Sequence, residues 1–208
     1  MTISSATGDL LQQHDVDAIV NAVNCVGVMG KGIALQFKKK WPDNFKAYAA
    51  ACKASQVTLG EMFIYDLGGL VSPRYIINFP TKGHWRSASN IKDIESGLQN
   101  LVAQVGALGI RSIAMPPLGC GNGGLRWSDV KPRVEHHFSA LPNVTVKLFE
   151  PSATAAPVKL QVNTPAPKMT PGRAAILALL ETYQAFSYGL SKIEVQKLAY
   201  FYKKQGKI

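Results

Sequence analysis

A short segment in the middle of the chain combines a lysine with aromatic and cationic side chains. Residues 80–86 (PTKGHWR) place Lys82, His84, Trp85 and Arg86 within five positions. A lysine packed against an aromatic ring and another cation can lose part of its proton affinity and then act as a nucleophile. Trp85 offers a stacking surface for a nucleobase, and His84 and Arg86 can contact phosphates. The ordinary alternative is a solvated surface lysine beside a partly buried tryptophan anchor.

Two glycine-rich segments have the composition of loops that bind phosphate. Residues 27–32 (GVMGKG) precede a helix-like run, and residues 116–127 (PPLGCGNGGLRW) join a strand-like run to a helix-like one. Glycine lets backbone N–H groups converge on a ligand, and those beside a helix N-terminus favour anions. The first segment is not a Walker A loop, because Gly32 stands where Ser or Thr is required. The second contains G-x-G-x-x-G but comes late in the chain and lacks a suitably placed acid. It is therefore interpreted as a phosphate cradle, with a flexible turn as the alternative.

Two asparagines and an aspartate complete the candidate ligand-binding residues that the pattern itself provides. Asn21 and Asn24 lie towards the C-terminal end of an apolar strand at residues 18–23, where ligands bind in open α/β sheets. Their amides suit ribose hydroxyls, although asparagines in turns often satisfy local backbone groups instead. Asp9 is interpreted as a helix cap, with a hydrogen bond from a base amino group as the alternative.

Strand-like and helix-like runs alternate through the first 150 residues. Strands are expected at residues 2–6, 18–23, 62–65, 75–79, 112–115 and 144–149. Helices are expected from Ile33, from Pro42, over 90–108 and over 127–140. The pattern predicts an α/β fold: a three-layer α/β/α domain with a central mixed sheet, ending near Glu150.

Three local predictions accompany this fold. Pro80 is expected to end its strand, because proline removes a ladder donor. Ser128 is a candidate cap for the following helix. A run of three lysines is expected to form a solvated helix end, favoured by the helix dipole: Lys38, Lys39 and Lys40.

The remaining residues differ in composition from the first 150. Residues 151–170 are rich in Pro, Ala and Thr and are predicted to be a linker. Helices are expected to begin at Pro171 and at Ser191, within a segment, residues 171–208, that would form the start of a second domain. Two helices make a thin core, so we expect this second unit to be incomplete in the chain.

The charge balance favours polyanionic partners. The net charge is +10; residues 1–150 contribute +4 (15 Lys and Arg against 11 Asp and Glu) and residues 151–208 contribute +6 (8 against 2). Three cysteines without C-x-x-C spacing indicate a reducing compartment and neither a metal site nor a disulfide framework. The first residues lack an apolar signal core, and no run has the length of a membrane span. A cytoplasmic protein is expected.

Four segments, in this order, resemble the macrodomain family: TGDLL, DAIVNAVNCVGVMGKGIALQFKK, RYIINFPTKGHWR and PPLGCGNGGLRW. The resemblance covers residues 1–150 and is to the DarG-type branch, DNA ADP-ribosyl glycohydrolases that act as antitoxins to DarT-type DNA ADP-ribosyltransferases. Residues 171–208 are similar to the start of that branch's second, toxin-binding domain. The resemblance implies ADP-ribosylated single-stranded DNA, modified on thymidine, as substrate, ADP-ribose as product, a DarT-like toxin as partner, no membrane association and no cofactor.

The same resemblance implies roles for individual residues. Lys82 corresponds to the branch's catalytic lysine, Asn24 joins it at the proximal ribose, and the flanking DNA would be held by His84, Trp85 and Arg86. Asp9 and Leu10 would contact the adenine, and Asn21 would also lie near the proximal ribose. The pyrophosphate and proximal ribose would be covered from one side by Gly30, Lys31, Gly32 and Ile33. They would be covered from the other by Pro117, Leu118, Gly119, Cys120, Gly121, Asn122, Gly123 and Gly124.

One departure from a related protein glycohydrolase concerns Gly123, which stands where that enzyme has an assisting acid. Another residue would then protonate the leaving base, or the DNA reaction would not need the acid. Two further hypotheses remain open: a macrodomain that binds ADP-ribose without cleaving it, and an antitoxin that acts mainly by binding its toxin. A dehydrogenase is the least favoured, since the acid that would bind a nicotinamide ribose has no candidate.

Overall fold

Short runs rich in β-branched and aromatic residues form the strands of a six-stranded sheet in the computed structural model, which describes residues 2–69, 71–151, 168–184 and 192–204. Its order is β1-β6-β5-β2-β4-β3. β3 pairs antiparallel with β4, and the other neighbours are parallel, so the predicted mixed sheet is confirmed. The strands are β1 (Thr2–Ala6), β2 (Ala18–Asn24), β3 (Phe63–Asp66), β4 (Tyr75–Lys82), β5 (Ser112–Met115) and β6 (Thr145–Phe149).

Helices cover both faces of this sheet. They are α1 (Gly32–Lys40), α2 (Pro42–Lys53), α3 (Ile91–Ala107) and α4 (Trp127–Phe138), and a short 3-10 turn occupies Leu10–Gln12. Successive strand residues point to opposite faces, so Val20 and Ile77 pack with α3 and α4 while Ile19 and Ile76 pack with α1. A third cluster packs around Tyr48 of α2. The two helical layers and the sheet between them form the predicted three-layer architecture.

The strand order fixes where a ligand can enter. β2 lies between β4 and β5, and the chain passes from one of these neighbours to the other through α3. The crevice beyond the carboxyl ends of parallel strands at such a reversal is the usual ligand site of open α/β sheets. Here those ends are Asn24, Lys82 and Met115.

Three local predictions were wrong. Pro80 lies inside β4. Its missing N–H is tolerated because β3 pairs with β4 only as far as Asn78, so β3 needs no hydrogen bond from Pro80. The residue before α4 is Arg126, which forms no side-chain cap bond, so Ser128 is not the cap. Lys40 is buried at the end of α1 and its Nζ donates to the carbonyl oxygen of Leu11, so it is not a solvated helix end.

The chain divides into two compact units, Met1–Thr164 and Pro165–Ile208. In the second, the structure contains α5 (Pro171–Gln184) and α6 (Lys192–Lys204), where two helices were predicted. Most of the expected linker, residues 152–167, lies outside the described residues. Across the described ranges, none of the helices combines the length and apolar character needed to cross a membrane.

Candidate ligand-binding and catalytic cleft

A cleft of about 600 Å³ opens beyond the carboxyl ends of β2, β4 and β5. A volume of this size accommodates a cofactor-sized ligand. The cleft brings together residues from all three segments singled out by sequence: the glycine segment before α1, the loop after β4 and the glycine loop after β5. The predicted site residues that line it are Asn24, Gly30, Lys31, Gly32, Ile33, Lys82, Trp85, Arg86, Pro117, Gly119, Gly121, Asn122 and Gly123.

The electrostatics of the cleft favour an anion. Lys31, Lys82 and Arg86 line it, and no acidic residue is among the described residues that do so. Helix α1 begins at Gly32, and the preceding Lys31 forms no side-chain cap bond. The first N–H groups of a helix have no partner within the helix, and they carry the positive end of its dipole. This helix end therefore supports the predicted phosphate site.

The two glycine segments face each other across the cleft. Gly32 has a φ of +58°, and a Cβ added there would lie 3.4 Å from Nδ2 of Asn122 in the opposite loop. In that loop a Cβ on Gly123 would lie 2.4 Å from the carbonyl oxygen of Gly119 and 2.2 Å from Oγ of Ser89. Both distances are shorter than non-bonded contacts allow, so the loop has no room for a side chain at residue 123.

Lys82 is the last residue of β4 and exposes only 9% of its surface. Its Nζ donates to the carbonyl oxygens of Ser87 (3.1 Å) and Asn122 (2.7 Å), so it connects the loop after β4 with the glycine loop. Both acceptors are neutral. Burial lowers the pKa of the Lys82 amine below that of a solvated lysine, which increases the fraction of neutral, nucleophilic amine at a given pH.

Asn24 lies beside Lys82 at the β2 end and shapes the loop that follows. Its Oδ1 accepts from the N–H groups of Val26 (3.0 Å) and Val28 (3.3 Å), and its Nδ2 donates to the carbonyl oxygen of Val28 (2.6 Å). An amide nitrogen carries two hydrogens, so this bond leaves one for a ligand. The local backbone role left open by the sequence is thus present, and the expected catalytic role stays a prediction.

The loop after β4 carries a stacked group of aromatic and cationic side chains. The guanidinium of Arg86 lies 4.5 Å from the centre of the Trp85 ring. The centres of the His84 and Trp85 rings lie 5.4 Å apart. Nδ1 of His84 accepts the N–H of Arg86 (3.2 Å). Trp85 and Arg86 line the cleft whereas His84 is outside its lining, so contact of all three with DNA remains a prediction.

Several predicted residues lie outside the cleft lining. Asn21 is fully buried and its Nδ2 donates to Oδ1 of Asn78 (3.0 Å), so its side chain packs in the core and its contact with the proximal ribose stays a prediction. The side chains of Leu10 and Leu118 are also buried, in apolar clusters of the core, and their contact with the ligand stays a prediction. Asp9 caps the 3-10 turn, as the sequence favoured, since its Oδ1 accepts the N–H of Leu11 (2.9 Å).

The other two residues outside the lining belong to the glycine loop. Gly124 has a φ of +79°, which provides the turn that leads into α4. The thiol of Cys120 donates to the carbonyl oxygen of Leu118 (3.4 Å). Burial raises the pKa of Cys120 to about 11, so this thiol is not a nucleophile at neutral pH.

Sequence reasoning missed three supporting residues. The N–H of Ser89 donates to the carbonyl oxygen of Gly123 (2.9 Å) and holds the glycine loop. Oγ1 of Thr81 donates to the carbonyl oxygen of Val23 (3.2 Å). The hydroxyl of Tyr48 donates to the backbone carbonyl oxygen of Asn24. No local motif marks Ser89 or Tyr48. Within the described part of the chain, no group of three His, Cys, Asp or Glu could hold a metal ion.

Comparison with known proteins agrees with this arrangement. Residues 20–134 match the model of the Macro domain family. A DNA ADP-ribosyl glycohydrolase of Thermus aquaticus is 49% identical over 199 residues, which is 96% of this chain and 55% of that protein. The chain thus spans about half the length of the curated relatives it matches.

Two solved structures share the fold. The macrodomain of Mycobacterium tuberculosis DarG has a TM-score of 0.71 at 52% identity, covering 73% of this chain and 99% of that one. Thermosipho africanus DarTG in complex with ADP-ribose has a TM-score of 0.67 at 35% identity, and the match covers 75% of this chain and 43% of that one. The fold, the paired glycine loops and these similarities together show that the chain belongs to the macrodomain family.

Proposed function

We propose that this chain carries the catalytic domain of a DNA ADP-ribosyl glycohydrolase. The substrate would be ADP-ribosylated single-stranded DNA, modified on thymidine, and the protein would act as the antitoxin of a DarT-like DNA ADP-ribosyltransferase. The observation that carries the proposal is the buried, charge-unpaired Lys82 in a cationic cleft between two glycine loops. The names of the Thermus and Thermosipho relatives support the substrate class and the partner.

In this proposal the ligand's pyrophosphate binds the N-terminus of α1 and the glycine loop. Backbone N–H groups at Gly32 and Ile33, with Lys31 beside them, supply the donors and charge that a diphosphate needs. Binding of the diphosphate then holds the proximal ribose near Lys82 and Asn24. This use of remote binding energy to position the reacting carbon would account for much of the rate enhancement.

The proposed chemistry proceeds through Lys82. Its neutral Nζ attacks the anomeric carbon of the proximal ribose, and a carbon–nitrogen bond to the lysine forms. The bond to the base nitrogen breaks at the same carbon and its electron pair stays with the base. The base takes up one proton, and the Nζ, which becomes positively charged in the attack, gives up one. Water then cleaves the bond to Nζ, which releases ADP-ribose and regenerates the amine.

The absence of an assisting acid at residue 123 has a steric basis. Because a Cβ there would overlap both Ser89 and the Gly119 carbonyl, this glycine loop excludes the acid altogether. A ring nitrogen of a base is a different leaving group from the carboxylate ester that the related protein enzyme cleaves. We infer that the DNA reaction proceeds without an acid from this loop.

The test is incubation of the wild-type protein with a single-stranded oligonucleotide that carries ADP-ribosylated thymidine. Release of ADP-ribose and recovery of the unmodified oligonucleotide are expected. Tight binding of ADP-ribose without release would sink the enzyme proposal for this substrate and leave a macrodomain that only binds the modification.

Direct binding of the toxin is a second, compatible function. Leu177 of α5 and Tyr200 and Phe201 of α6 are exposed apolar side chains in the second unit, and such surfaces are typical of protein contacts. If this function operates, the Lys82→Ala protein still neutralises the transferase by complex formation. Loss of neutralisation in that variant, with its fold intact, would show that hydrolysis alone is responsible.

A further inference from the structure

Exposed apolar side chains in the cleft lining and on the loop after β2 are not explained by the binding of a diphosphate. Val26, Val28 and Trp85 expose 45, 38 and 44% of their surfaces, and we call these three residues the apolar rim. Val28 and Trp85 line the cleft itself. Single exposed apolar residues are ordinary, but a group of them in and beside a cleft indicates a contact surface.

The loops that carry the apolar rim are held together by a backbone hydrogen bond. The N–H of Cys25, the neighbour of Val26, donates to the carbonyl oxygen of Gly83 (3.1 Å), so the loop after β2 lies beside the loop after β4. The side chain of Asn24 fixes both valines through their backbone N–H groups. Bonds within the protein therefore fix the backbone that carries both valines, which lowers the entropic cost of using the apolar rim.

The charges around the apolar rim identify the kind of partner. Arg86 lies against Trp85, Lys31 stands at the same cleft, and no acidic residue is among the described lining residues. Apolar surfaces flanked by cations are the pattern that binds single-stranded nucleic acid, in which bases stack on side chains and phosphates meet the cations. A purely apolar partner would leave the cations without counter-charges.

We propose that the apolar rim holds the nucleobases of the DNA substrate. The base that leaves the ribose packs against Val28, and a neighbouring base of the strand stacks on Trp85 and reaches Val26. This inference rests on the proposed function, because it takes ADP-ribosylated DNA as the substrate. It assigns selection of the polynucleotide to the apolar rim and binding of ADP-ribose to the glycine loops.

The experiment uses the full chain with Lys82→Ala, so that the substrate is bound without turnover. Affinities for free ADP-ribose and for the ADP-ribosylated oligonucleotide are compared in this background and after addition of Val26→Asn, Val28→Asn or Trp85→Ala. Each addition is expected to weaken oligonucleotide binding about five- to tenfold more than it weakens the binding of free ADP-ribose. The matched control is Val71→Asn, a valine 55% exposed and outside the cleft lining.

Two results would overturn the inference. Unchanged oligonucleotide affinity in all three variants would remove the apolar rim from recognition. Equal losses for oligonucleotide and free ADP-ribose would show that it only shapes the ADP-ribose pocket. Retained ADP-ribose binding verifies that each variant is folded. Failure of the wild type to release ADP-ribose would reject the proposed function separately, while a selective loss of oligonucleotide affinity would still uphold the apolar rim as a nucleic-acid contact.

Discussion

Addition of a single methyl group at Gly123 is expected to disable the glycine loop. In Gly123→Ala the new Cβ would lie 2.4 Å from the carbonyl oxygen of Gly119 and 2.2 Å from Oγ of Ser89. Rotation of the Ser89 side chain can relieve the second contact in part. It cannot relieve the first, because that oxygen belongs to the backbone of the same loop.

The magnitude follows from these distances. The separation from the Gly119 oxygen must open from 2.4 Å to at least 3.0 Å, the shortest distance that Cβ atoms ordinarily show. Shifts of this kind in packed regions cost about 1–3 kcal/mol. Because the displaced loop must be pushed back to fit the pyrophosphate, that cost appears in affinity, and about 1.4 kcal/mol corresponds to a tenfold loss. We expect Gly123→Ala to bind ADP-ribose about 5- to 150-fold more weakly.

Calorimetric titration of ADP-ribose into wild type, Gly123→Ala and Gly106→Ala measures this effect. Gly106 lies in α3 and outside the cleft lining, and the nearest atom to a Cβ there would be Cδ2 of Leu141 at 4.0 Å. Gly106→Ala is therefore expected to bind ADP-ribose as the wild type does. Affinity of Gly123→Ala within twofold of wild type would refute the reasoning. So would an increase in activity of Gly123→Asp, because it would show that the loop has room for the acid.

Three further predictions concern lysines and a buried amide. Lys40→Ala is expected to lower the free energy of unfolding by about 1–3 kcal/mol in urea titrations, since the substitution removes a buried hydrogen bond to a backbone carbonyl. Lys39→Ala, at a partly exposed neighbour, is expected to change that free energy little. Equal effects of the two substitutions would contradict this prediction. Asn21→Ala is expected to lower the free energy of unfolding by about 1–3 kcal/mol, because Asn78 loses a hydrogen-bond donor, and to preserve ADP-ribose affinity. A loss of affinity without a loss of stability would show that Asn21 contacts the ligand. Burial lowers the pKa of Lys82, and the neutral amine is the reactive form. The rate of ADP-ribose release should therefore rise with pH and level off below the ordinary lysine pKa of 10.5. A rate that falls as pH rises would contradict a lysine nucleophile.

Much of the fold follows from local pattern. Most strands are short runs with several β-branched or aromatic residues, although β1 and β5 have few. α3 was predicted to within one residue at each end, and β5 was predicted with the bounds that the structure gives. Helical periodicity and the flanking Gly109 and Pro116 mark these two elements. Pro80 was misjudged because its tolerance depends on where β3 stops pairing, which the local sequence does not encode. Lys40 was misjudged for a similar reason: its acceptor, the Leu11 carbonyl, lies 29 residues earlier in the chain.

The candidate site was predictable where the chemistry lies in residue type, and less so where it depends on direction. Glycine loops and Lys82 were identified from sequence and meet in one cleft. Asn21 and Asn24 have equivalent side chains, but β2 directs Asn21 into the core and Asn24 to the cleft, and only the sheet register decides which. Ser89 is a supporting residue with no motif, since its role arises from contact with the distant Gly123.

The most direct measurement of the central claim is ADP-ribose release from the ADP-ribosylated thymidine oligonucleotide by wild type, Lys82→Ala and Lys82→Arg, with ADP-ribose affinity measured on all three. Arginine retains the positive charge and remains protonated, so it separates a nucleophile from a charge that only holds the loops. Our account predicts release by wild type alone, with ADP-ribose binding retained in at least one variant. Release by either variant at a rate close to wild type would contradict catalysis by Lys82.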